Sequence, residues 1–196
     1  MTVYASRMES PVGPLTLVVD AGGALTKILF GGPGIDGAEP GDARCAQVRT
    51  QLGEYFRGER REFALQLAPV GTPFQQQVWH ALGLIPYGTT LDYRELGQVI
   101  GRPGAARAVG RANATSPIPI VIPCHRVVGA VGNLTGYGGG LEAKQYLLRL
   151  EGCEFYGEAV SAGSWMSVTH PELYGRLIPY PGPVSVTWKT GVTPLS

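Results

Sequence analysis

Residues 116 to 128 read Ser-Pro-Ile-Pro-Ile-Val-Ile-Pro-Cys-His-Arg-Val-Val. Three prolines alternate with apolar residues here, which predicts an extended, stiff segment with few backbone N–H groups available for a sheet. Such a segment would hold Cys124 still at the floor of a pocket, although a buried connecting segment explains the same pattern. Cys124 and His125 are neighbours, so on a strand or a helix their side chains point apart. Any shared chemistry of the two therefore needs a bridging group.

The preceding residues 105 to 114 read Ala-Ala-Arg-Ala-Val-Gly-Arg-Ala-Asn-Ala. They predict a helix of small side chains with Arg107 and Arg111 on one face. Small side chains allow a close approach either to a neighbouring helix or to a nucleic-acid groove, where an arginine can enter the base stack. A helix over 93–100 and the turn Gly-Arg-Pro-Gly come before it. The outline is that of a helix-turn-helix, and an ordinary corner between two helices fits it as well.

Two further helices complete this half of the chain. Thr72 is a predicted N-cap with Pro73 in the first helical position. Downstream, the glycine-rich run 136–141 precedes a helix over 141–151, which Gly152 ends. The run lacks the Gly-Lys-Ser/Thr pattern of a phosphate-binding loop.

The first third of the chain predicts strands between Val3 and Phe30, a Gly/Pro/Asp-rich connector, and a helix with apolar residues at 45, 48, 52, 55 and 56. The predicted fold class is therefore α+β. We expect a small N-terminal β-sheet lobe with one helix (1–70), a mainly helical lobe containing the helix-turn-helix (71–152), and an extension of unknown role (153–196).

Composition favours a soluble globular protein, with 44% hydrophobic and 16% charged residues. No apolar run approaches the roughly 20 residues that span a bilayer, and the N-terminus lacks a signal pattern. We therefore expect a cytoplasmic protein without a membrane partner. The cysteines at 45, 124 and 153 are odd in number and widely spaced. This spacing disfavours disulfides and structural zinc, and no metal or cofactor is expected.

Positive charge is concentrated in the middle of the chain. Residues 93–152 hold 7 Lys or Arg against 3 Asp or Glu, whereas residues 1–92 hold 7 against 9 and residues 153–196 hold 2 against 3. The middle segment thus carries a balance of +4 within a chain of net charge +1. This asymmetry is a mild indication of phosphate or nucleic-acid binding.

Three stretches carry a resemblance to a known family: Ile-Pro-Cys-His-Arg-Val-Val (122–128), Ala-Ala-Arg-Ala-Val-Gly before it, and Gly-Gly-Gly-Leu…Lys…Leu-Leu…Leu-Glu-Gly after it. In these stretches the chain resembles the O6-alkylguanine-DNA alkyltransferases, also called methylated-DNA–protein-cysteine methyltransferases. The resemblance runs from about Met8 to Gly152. It implies repair of O6-alkylguanine, and of O4-alkylthymine, by irreversible transfer of the alkyl group to a cysteine. It also implies a monomer that binds duplex DNA from the minor-groove side and flips the damaged base out.

The resemblance implies a role for each matching residue. Cys124 is the acceptor, His125 acts on it through a water, and Glu151 orients His125. Tyr93 donates a hydrogen bond to the departing guanine, and Arg107 fills the gap left by the flipped base. The implied DNA contacts are Tyr93, Ala106, Arg107, Arg111, Ser116 and Arg126. The implied guanine pocket consists of Asn113, Val127, Tyr137, Gly138 and Gly139.

One position departs from the family pattern. Ser116 stands where the family has an Asn that bridges the helix-turn-helix to the active-site segment, and Ser has one donor fewer. Either this hinge is looser or Asn113 compensates. Two other functions stay open: lesion binding without catalysis, and alkyl transfer involving a small molecule on the same fold. A cysteine hydrolase fits less well, because no oxyanion-hole glycine pattern precedes Cys124.

The extension 153–196 has no equivalent in the family pattern. It holds six of the chain's 17 aromatic residues, which is too apolar for a solvated linker. Its five prolines argue against a long helix. We expect it to wrap on the surface beside the last helix and to be dispensable for chemistry.

Overall fold

The computed structural model describes residues 2–153, 155 and 188–189. They divide into two compact units. Unit 1 holds residues 2–71, 117–121 and 188–189, and unit 2 holds residues 72–116, 122–153 and 155. The predicted α+β class is confirmed, because strands form a sheet in unit 1 and helices dominate unit 2.

The described elements follow in chain order. The strands are β1 (Val3–Met8), β2 (Leu15–Asp20), β3 (Leu25–Phe30), β4 (Glu39–Pro40), β5 (Gln66–Leu67), β6 (Leu91–Asp92), β7 (Val127–Val128) and β8 (Trp188–Lys189). The helices are α1 (Ala46–Phe56), α2 (Pro73–Gly83), α3 (Tyr93–Val99), α4 (Ala106–Ala114) and α5 (Gly140–Leu150).

Unit 1 is built on a six-stranded sheet in the order β4-β1-β2-β3-β5-β8. Strands β1, β2 and β3 form an antiparallel meander, with β4 parallel to β1 and β5 parallel to β3. Two tight turns join the meander, and each places a glycine (Gly13, Gly23) in the left-handed region that other residues avoid. The central strand β2 is buried from Leu15 to Val19, so it forms the middle of this unit's core.

Helix α1 packs its apolar stripe into the same core. Val48, Leu52, Tyr55 and Phe56 are buried on it, as their spacing predicts. The Cys45 thiol, at the start of α1, lies 3.8 Å from the Leu17 carbonyl oxygen of β2. This cysteine is therefore a core residue, and burial raises the pKa of its thiol.

The proline-rich segment is less uniform than its sequence predicts. Residues 117–121 belong to unit 1, where the Ile28 N–H donates to the Pro117 carbonyl at 2.9 Å. The backbone turns at Ile120, whose φ is +75°. A β-branched residue in this region is strained by about 1–3 kcal/mol. The prediction of a wholly extended segment is therefore wrong at this turn.

Unit 2 begins with the predicted cap of α2. The Thr72 hydroxyl accepts a hydrogen bond from the Gln75 N–H, and the Gln75 side chain bonds back to the Thr72 N–H. Pro73 is the first helical residue, which confirms the predicted start of α2. Helix α3 has a similar capping box formed by Asp92 and Glu95. Tyr93 therefore lies at a fixed helix N-terminus.

Helix α4 packs against both α2 and α3. The Trp79 indole N–H of α2 donates to the Ala112 carbonyl of α4 at 2.8 Å. Gly97 of α3 lies against the turn that joins α3 and α4, because a Cβ there would lie 3.0 Å from the Arg102 carbonyl oxygen. The small residues of α4 thus serve helix packing on one face, while Arg107 and Arg111 are exposed.

Only part of the extension falls within the described residues. Phe155 packs against the cluster of Val128, Leu148 and Cys153, and Trp188–Lys189 pair with β5 in unit 1. The expected wrap beside the last helix lies otherwise outside the described residues. None of the described helices is long and apolar enough to cross a membrane.

Candidate active site

Cys124, His125 and Arg126 form a single buried 3-10 turn in unit 2. The turn follows Pro123 and leads directly into β7, which pairs in parallel with β6. Strand β6 immediately precedes Tyr93, so this short ladder brings the cysteine turn and the start of α3 to the same place. The exposed fraction of Cys124 is 4% and that of His125 is 0%.

Glu151 binds both neighbours of Cys124 in the turn. Its Oε1 lies 2.8 Å from His125 Nε2 and 3.0 Å from Arg126 Nη2. Its Oε2 accepts from Arg126 Nε at 2.7 Å. Burial alone would raise the pKa of Glu151, but the hydrogen bonds from His125 and Arg126 outweigh it and hold that pKa well below its ordinary value. Glu151 is therefore a carboxylate at neutral pH.

Glu151 is placed by the end of α5. It is the C-cap residue, and Gly152 behind it turns the chain with φ +72°. The negative end of the helix dipole disfavours a carboxylate at a helix C-terminus. The positive charge of Arg126 offsets this repulsion. The 86–89 turn supports the same helix end, because the Tyr87 hydroxyl donates to the Leu150 carbonyl at 3.0 Å.

This geometry fixes the proton of His125. A carboxylate can only accept, so His125 Nε2 carries the proton and donates it to Glu151. The other ring nitrogen, Nδ1, is then a lone-pair acceptor, and it is buried without a hydrogen-bond partner in the described part of the chain. Burial lowers the pKa of His125, although Glu151 acts in the opposite direction. His125 is therefore a neutral base at pH 7.

The Cys124 thiol requires such a base. Burial raises its pKa to about 11, and the opposing effects of the Lys144 charge and of the nearby Ser116 and Tyr137 hydroxyls do not offset this. The thiol is protonated at neutral pH, whereas the thiolate is the nucleophile. The surroundings can stabilise a thiolate once its proton has been removed, through one positive charge and two hydroxyl donors.

Lys144 is the nearby positive charge. It is fully buried on α5 and its Nζ donates to the Val127 carbonyl at 2.6 Å and to the Thr135 carbonyl at 3.3 Å. Burial lowers the pKa of Lys144 to about 8, and the Cys124 thiolate would raise it. Lys144 thus forms hydrogen bonds both to the strand after the cysteine turn and to the loop that precedes α5.

Two more contacts join the elements around Cys124. The Asn113 amide of α4 donates to the Cys124 carbonyl at 3.3 Å. Asn113 therefore makes a bridge from α4 to the cysteine turn, as expected if it compensates for Ser116. At the start of α3, the Tyr93 phenol oxygen lies 2.6 Å from the Thr135 hydroxyl.

The predicted site residues occupy different environments. The exposed ones are Arg107, Arg111 and Gly138. The half-buried ones are Tyr93, Ala106, Ser116, Tyr137 and Gly139, and the buried ones are Asn113 and Val127. Arg126 does not fit its predicted contact with DNA, because only 6% of it is exposed. Its N–H groups are committed to Glu151 and to the Ile85 carbonyl. We correct its role to neutralising Glu151.

Sequence reasoning missed Lys144 and Thr135. Lys144 shares the apolar face of α5 with Ala143, Leu147 and Leu148, and a lysine on an apolar face is a signal of a buried charge. Thr135 gave no signal, because a threonine in a glycine-rich loop is common. The described residues hold no group of three His, Cys, Asp or Glu side chains that could bind a metal ion.

Two family models match the chain. Residues 3–69 match the ribonuclease-like domain of 6-O-methylguanine DNA methyltransferase, and residues 73–153 match its DNA-binding domain. The methylated-DNA–protein-cysteine methyltransferase of Mycobacterium leprae is 48% identical over 153 residues, which cover 76% of this chain and 92% of the relative. That of Methanosarcina acetivorans is 46% identical, with 76% and 99% covered.

Solved structures agree with these matches. The crystal structure of Mycobacterium tuberculosis O6-methylguanine methyltransferase is 46% identical, with a TM-score of 0.70 and coverage of 77% of this chain and 93% of that one. A structure of the M. tuberculosis protein in complex with DNA has a TM-score of 0.71 and 46% identity, with 78% and 93% covered. With both domain models matched in order along most of its length, the chain belongs to the 6-O-methylguanine DNA methyltransferase family.

Proposed function

We propose that this protein repairs DNA by transferring the alkyl group of O6-alkylguanine, and of O4-alkylthymine, irreversibly to Cys124. The observation that carries the proposal is the 2.8 Å contact between His125 Nε2 and Glu151 Oε1. This contact leaves a neutral imidazole with a free Nδ1 lone pair on the residue that directly follows the buried Cys124. Family membership supports the substrate class.

The reaction needs no group beyond these side chains and one water. The thiol proton passes through the water to His125 Nδ1, and the Cys124 sulfur attacks the alkyl carbon. A C–S bond forms as the bond from carbon to guanine O6 breaks, and the electron pair of the broken bond stays on the guanine. Tyr93 donates a hydrogen bond to the departing base. The thioether product offers no route back to a thiol, so each molecule acts once.

DNA binding is proposed for α3 and α4 as a helix-turn-helix that approaches the minor-groove side. Arg107 enters the base stack when the alkylguanine flips out, and Tyr93, Ala106, Arg111 and Ser116 contact the DNA around it. Arg107 and Arg111 lie one helical turn apart on the exposed face of α4. This arrangement favours an arginine reaching into DNA while the small side chains let α4 come close.

The flipped base is proposed to bind a pocket lined by Asn113, Val127, Tyr137, Gly138 and Gly139. The lobe 71–152 then carries both catalysis and DNA binding, and the extension 153–196 is dispensable for chemistry. We expect the protein to act as a monomer, as the family resemblance implies.

Intact-protein mass spectrometry tests the proposal directly. After incubation with duplex DNA containing one O6-methylguanine, the protein should gain one methyl group in place of one hydrogen, and peptide mapping should place it on Cys124. Duplex binding without a mass change would indicate a lesion-binding protein. Absence of duplex binding would favour a small-molecule substrate.

Arg107→Ala should slow repair in duplex DNA while leaving the reaction with the free base O6-benzylguanine unchanged. The free base needs no flipping, whereas a duplex without the inserted arginine must bear the full unstacking cost of a few kcal/mol. We expect a rate loss of roughly 10- to 100-fold on the duplex, if the side chain offsets about 1.4–2.7 kcal/mol of that cost. Single-turnover rates on both substrates measure the effect.

Arg57→Ala is the matched control for Arg107→Ala. It removes the same charge from an exposed position in unit 1, where Arg57 forms an ion pair with Glu59, so both rates should stay at wild-type values. Equal losses on duplex and free base for Arg107→Ala would show a structural role and contradict insertion.

A further inference from the structure

Tyr93 has a protein partner at the atom that the proposed reaction uses. Its phenol oxygen lies 2.6 Å from Thr135 Oγ1, and either hydroxyl can donate. Among the described residues, this is the hydrogen bond that reaches the Tyr93 side chain. A group that donates to the oxygen of a hydrogen-bonding tyrosine strengthens the bond that the tyrosine makes, because that oxygen gains negative charge as it donates.

The methyl group of Thr135 lies close to Gly129. A Cβ at position 129 would lie 3.1 Å from Thr135 Cγ2 and 2.5 Å from Asn133 Oδ1. Gly129 therefore provides the space that the Thr135 methyl occupies. A β-branched side chain is stiff about χ1, so a methyl seated on Gly129 also sets the direction of the hydroxyl.

The backbone of Thr135 is fixed from the other side. The buried Lys144 ammonium donates to the Thr135 carbonyl at 3.3 Å and to the Val127 carbonyl at 2.6 Å. The same ammonium exerts an electrostatic effect on the Cys124 thiol. One buried cation thus connects the backbone beside the nucleophile to the residue that contacts Tyr93.

The Tyr93 ring is also confined. It packs on the backbone of α4, because a Cβ at position 110 would lie 3.6 Å from its Cδ1 and Cε1. At its N-terminal end, α3 is fixed by the capping box of Asp92 and Glu95. With the ring against α4 and the helix start fixed, the Thr135 hydroxyl completes the set of contacts that orients the phenol.

We propose that Thr135 is a positioning residue for the transfer reaction, acting through Tyr93. The proposal rests on the proposed function. As the carbon–O6 bond breaks, its electron pair stays on the guanine, and the Tyr93 O–H donates to the resulting anion. The Thr135 O–H donates to the Tyr93 oxygen in the same step and stabilises its increased negative charge. No proton leaves Thr135 and no further reactant is needed.

Thr135→Val and Thr135→Ser form a matched pair for the test. Valine keeps the branched shape and removes the hydroxyl, whereas serine keeps the hydroxyl and removes the methyl that packs on Gly129. Single-turnover transfer from duplex O6-methylguanine is measured at saturating protein, together with lesion affinity and melting temperature. Thr135→Val should lower the rate roughly 10- to 100-fold without weakening lesion binding. Thr135→Ser should stay within about threefold of wild type, since the hydrogen bond is retained.

A double-mutant cycle separates positioning from loop packing. In a Tyr93→Phe background, Thr135→Val should have no further effect, because the atom through which Thr135 acts is gone. A further loss in that background, a wild-type rate for Thr135→Val, or equal losses for the valine and serine variants would each overturn the proposal. If Thr135→Val melts below the assay temperature, Thr135→Ala takes its place as the hydroxyl-free variant. A wild-type protein that accepts no alkyl group would instead refute the proposed function.

Discussion

Cys124→Ser is expected to abolish alkyl transfer while leaving the fold and the binding of lesion DNA intact. Serine has the shape of cysteine, but its hydroxyl is far less acidic and far less nucleophilic than a thiol. Removing the nucleophile of a covalent enzyme reduces the rate on the order of 10⁶-fold. Intact-protein mass spectrometry should therefore find no methyl addition after hours with the methylated duplex. The melting temperature should stay close to that of the wild type.

Cys45→Ser and Cys153→Ser are the matched controls for this loss. Both residues are buried free cysteines, and burial raises the pKa of the Cys153 thiol to about 12. Neither cysteine is adjacent in sequence to a histidine that could remove its proton, so neither is expected to be the acceptor. Each control variant should therefore still accept one methyl group on Cys124. A methyl addition to Cys124→Ser, or its loss in Cys153→Ser alone, would show that the acceptor had been misassigned.

Glu151→Gln should cause a large loss of stability. The change leaves the buried Arg126 charge without a counterion, and breaking a buried pair in this way costs about 3–5 kcal/mol. For a chain of this length that corresponds to a drop in melting temperature of roughly 10 °C. Transfer should slow as well, because glutamine no longer fixes the proton of His125 on Nε2 as a carboxylate does.

The pH dependence of this loss has a defined sign. The pKa of Glu151 is lower in the folded protein than its ordinary value of 4.5. Its contribution to stability is therefore complete above about pH 4.5 and is lost as the pH falls below that value. The difference in melting temperature between the wild type and Glu151→Gln should be largest near neutral pH and should shrink in acid.

Glu142→Gln is the control, since Glu142 is exposed in the first turn of the same helix. Its melting temperature should differ from that of the wild type by no more than about 1–2 °C, as expected for a surface charge. The double variant Arg126→Met/Glu151→Gln should lose less stability than the sum of the losses of the two single variants. Each single variant leaves one buried charge without its partner, whereas the double variant removes both charges. Additive losses would contradict a coupled buried pair.

Local sequence signals predict several helix ends of unit 2 to within one residue. Thr72 with Pro73 fixes the start of α2, and Gly152 fixes the end of α5. These signals are local, because a cap, a ring constraint or a left-handed glycine acts within one turn of the backbone. The resemblance carried by residues 122–128 and by the later Leu-Glu-Gly (150–152) likewise indicated the cysteine, its histidine and its glutamate.

How those residues act depends on contacts that form only when the chain folds. No local signal reveals that Arg126 is buried against Glu151, that Lys144 holds two carbonyls beside Cys124, or that Thr135 contacts the Tyr93 phenol. Each of these contacts joins residues 9 to 42 positions apart in the chain. Burial, which raises the pKa of Cys124 and lowers that of His125, likewise arises from packing by several elements at once. The sequence thus specified which groups are present, and only the folded arrangement specified their charge states and hydrogen-bond partners.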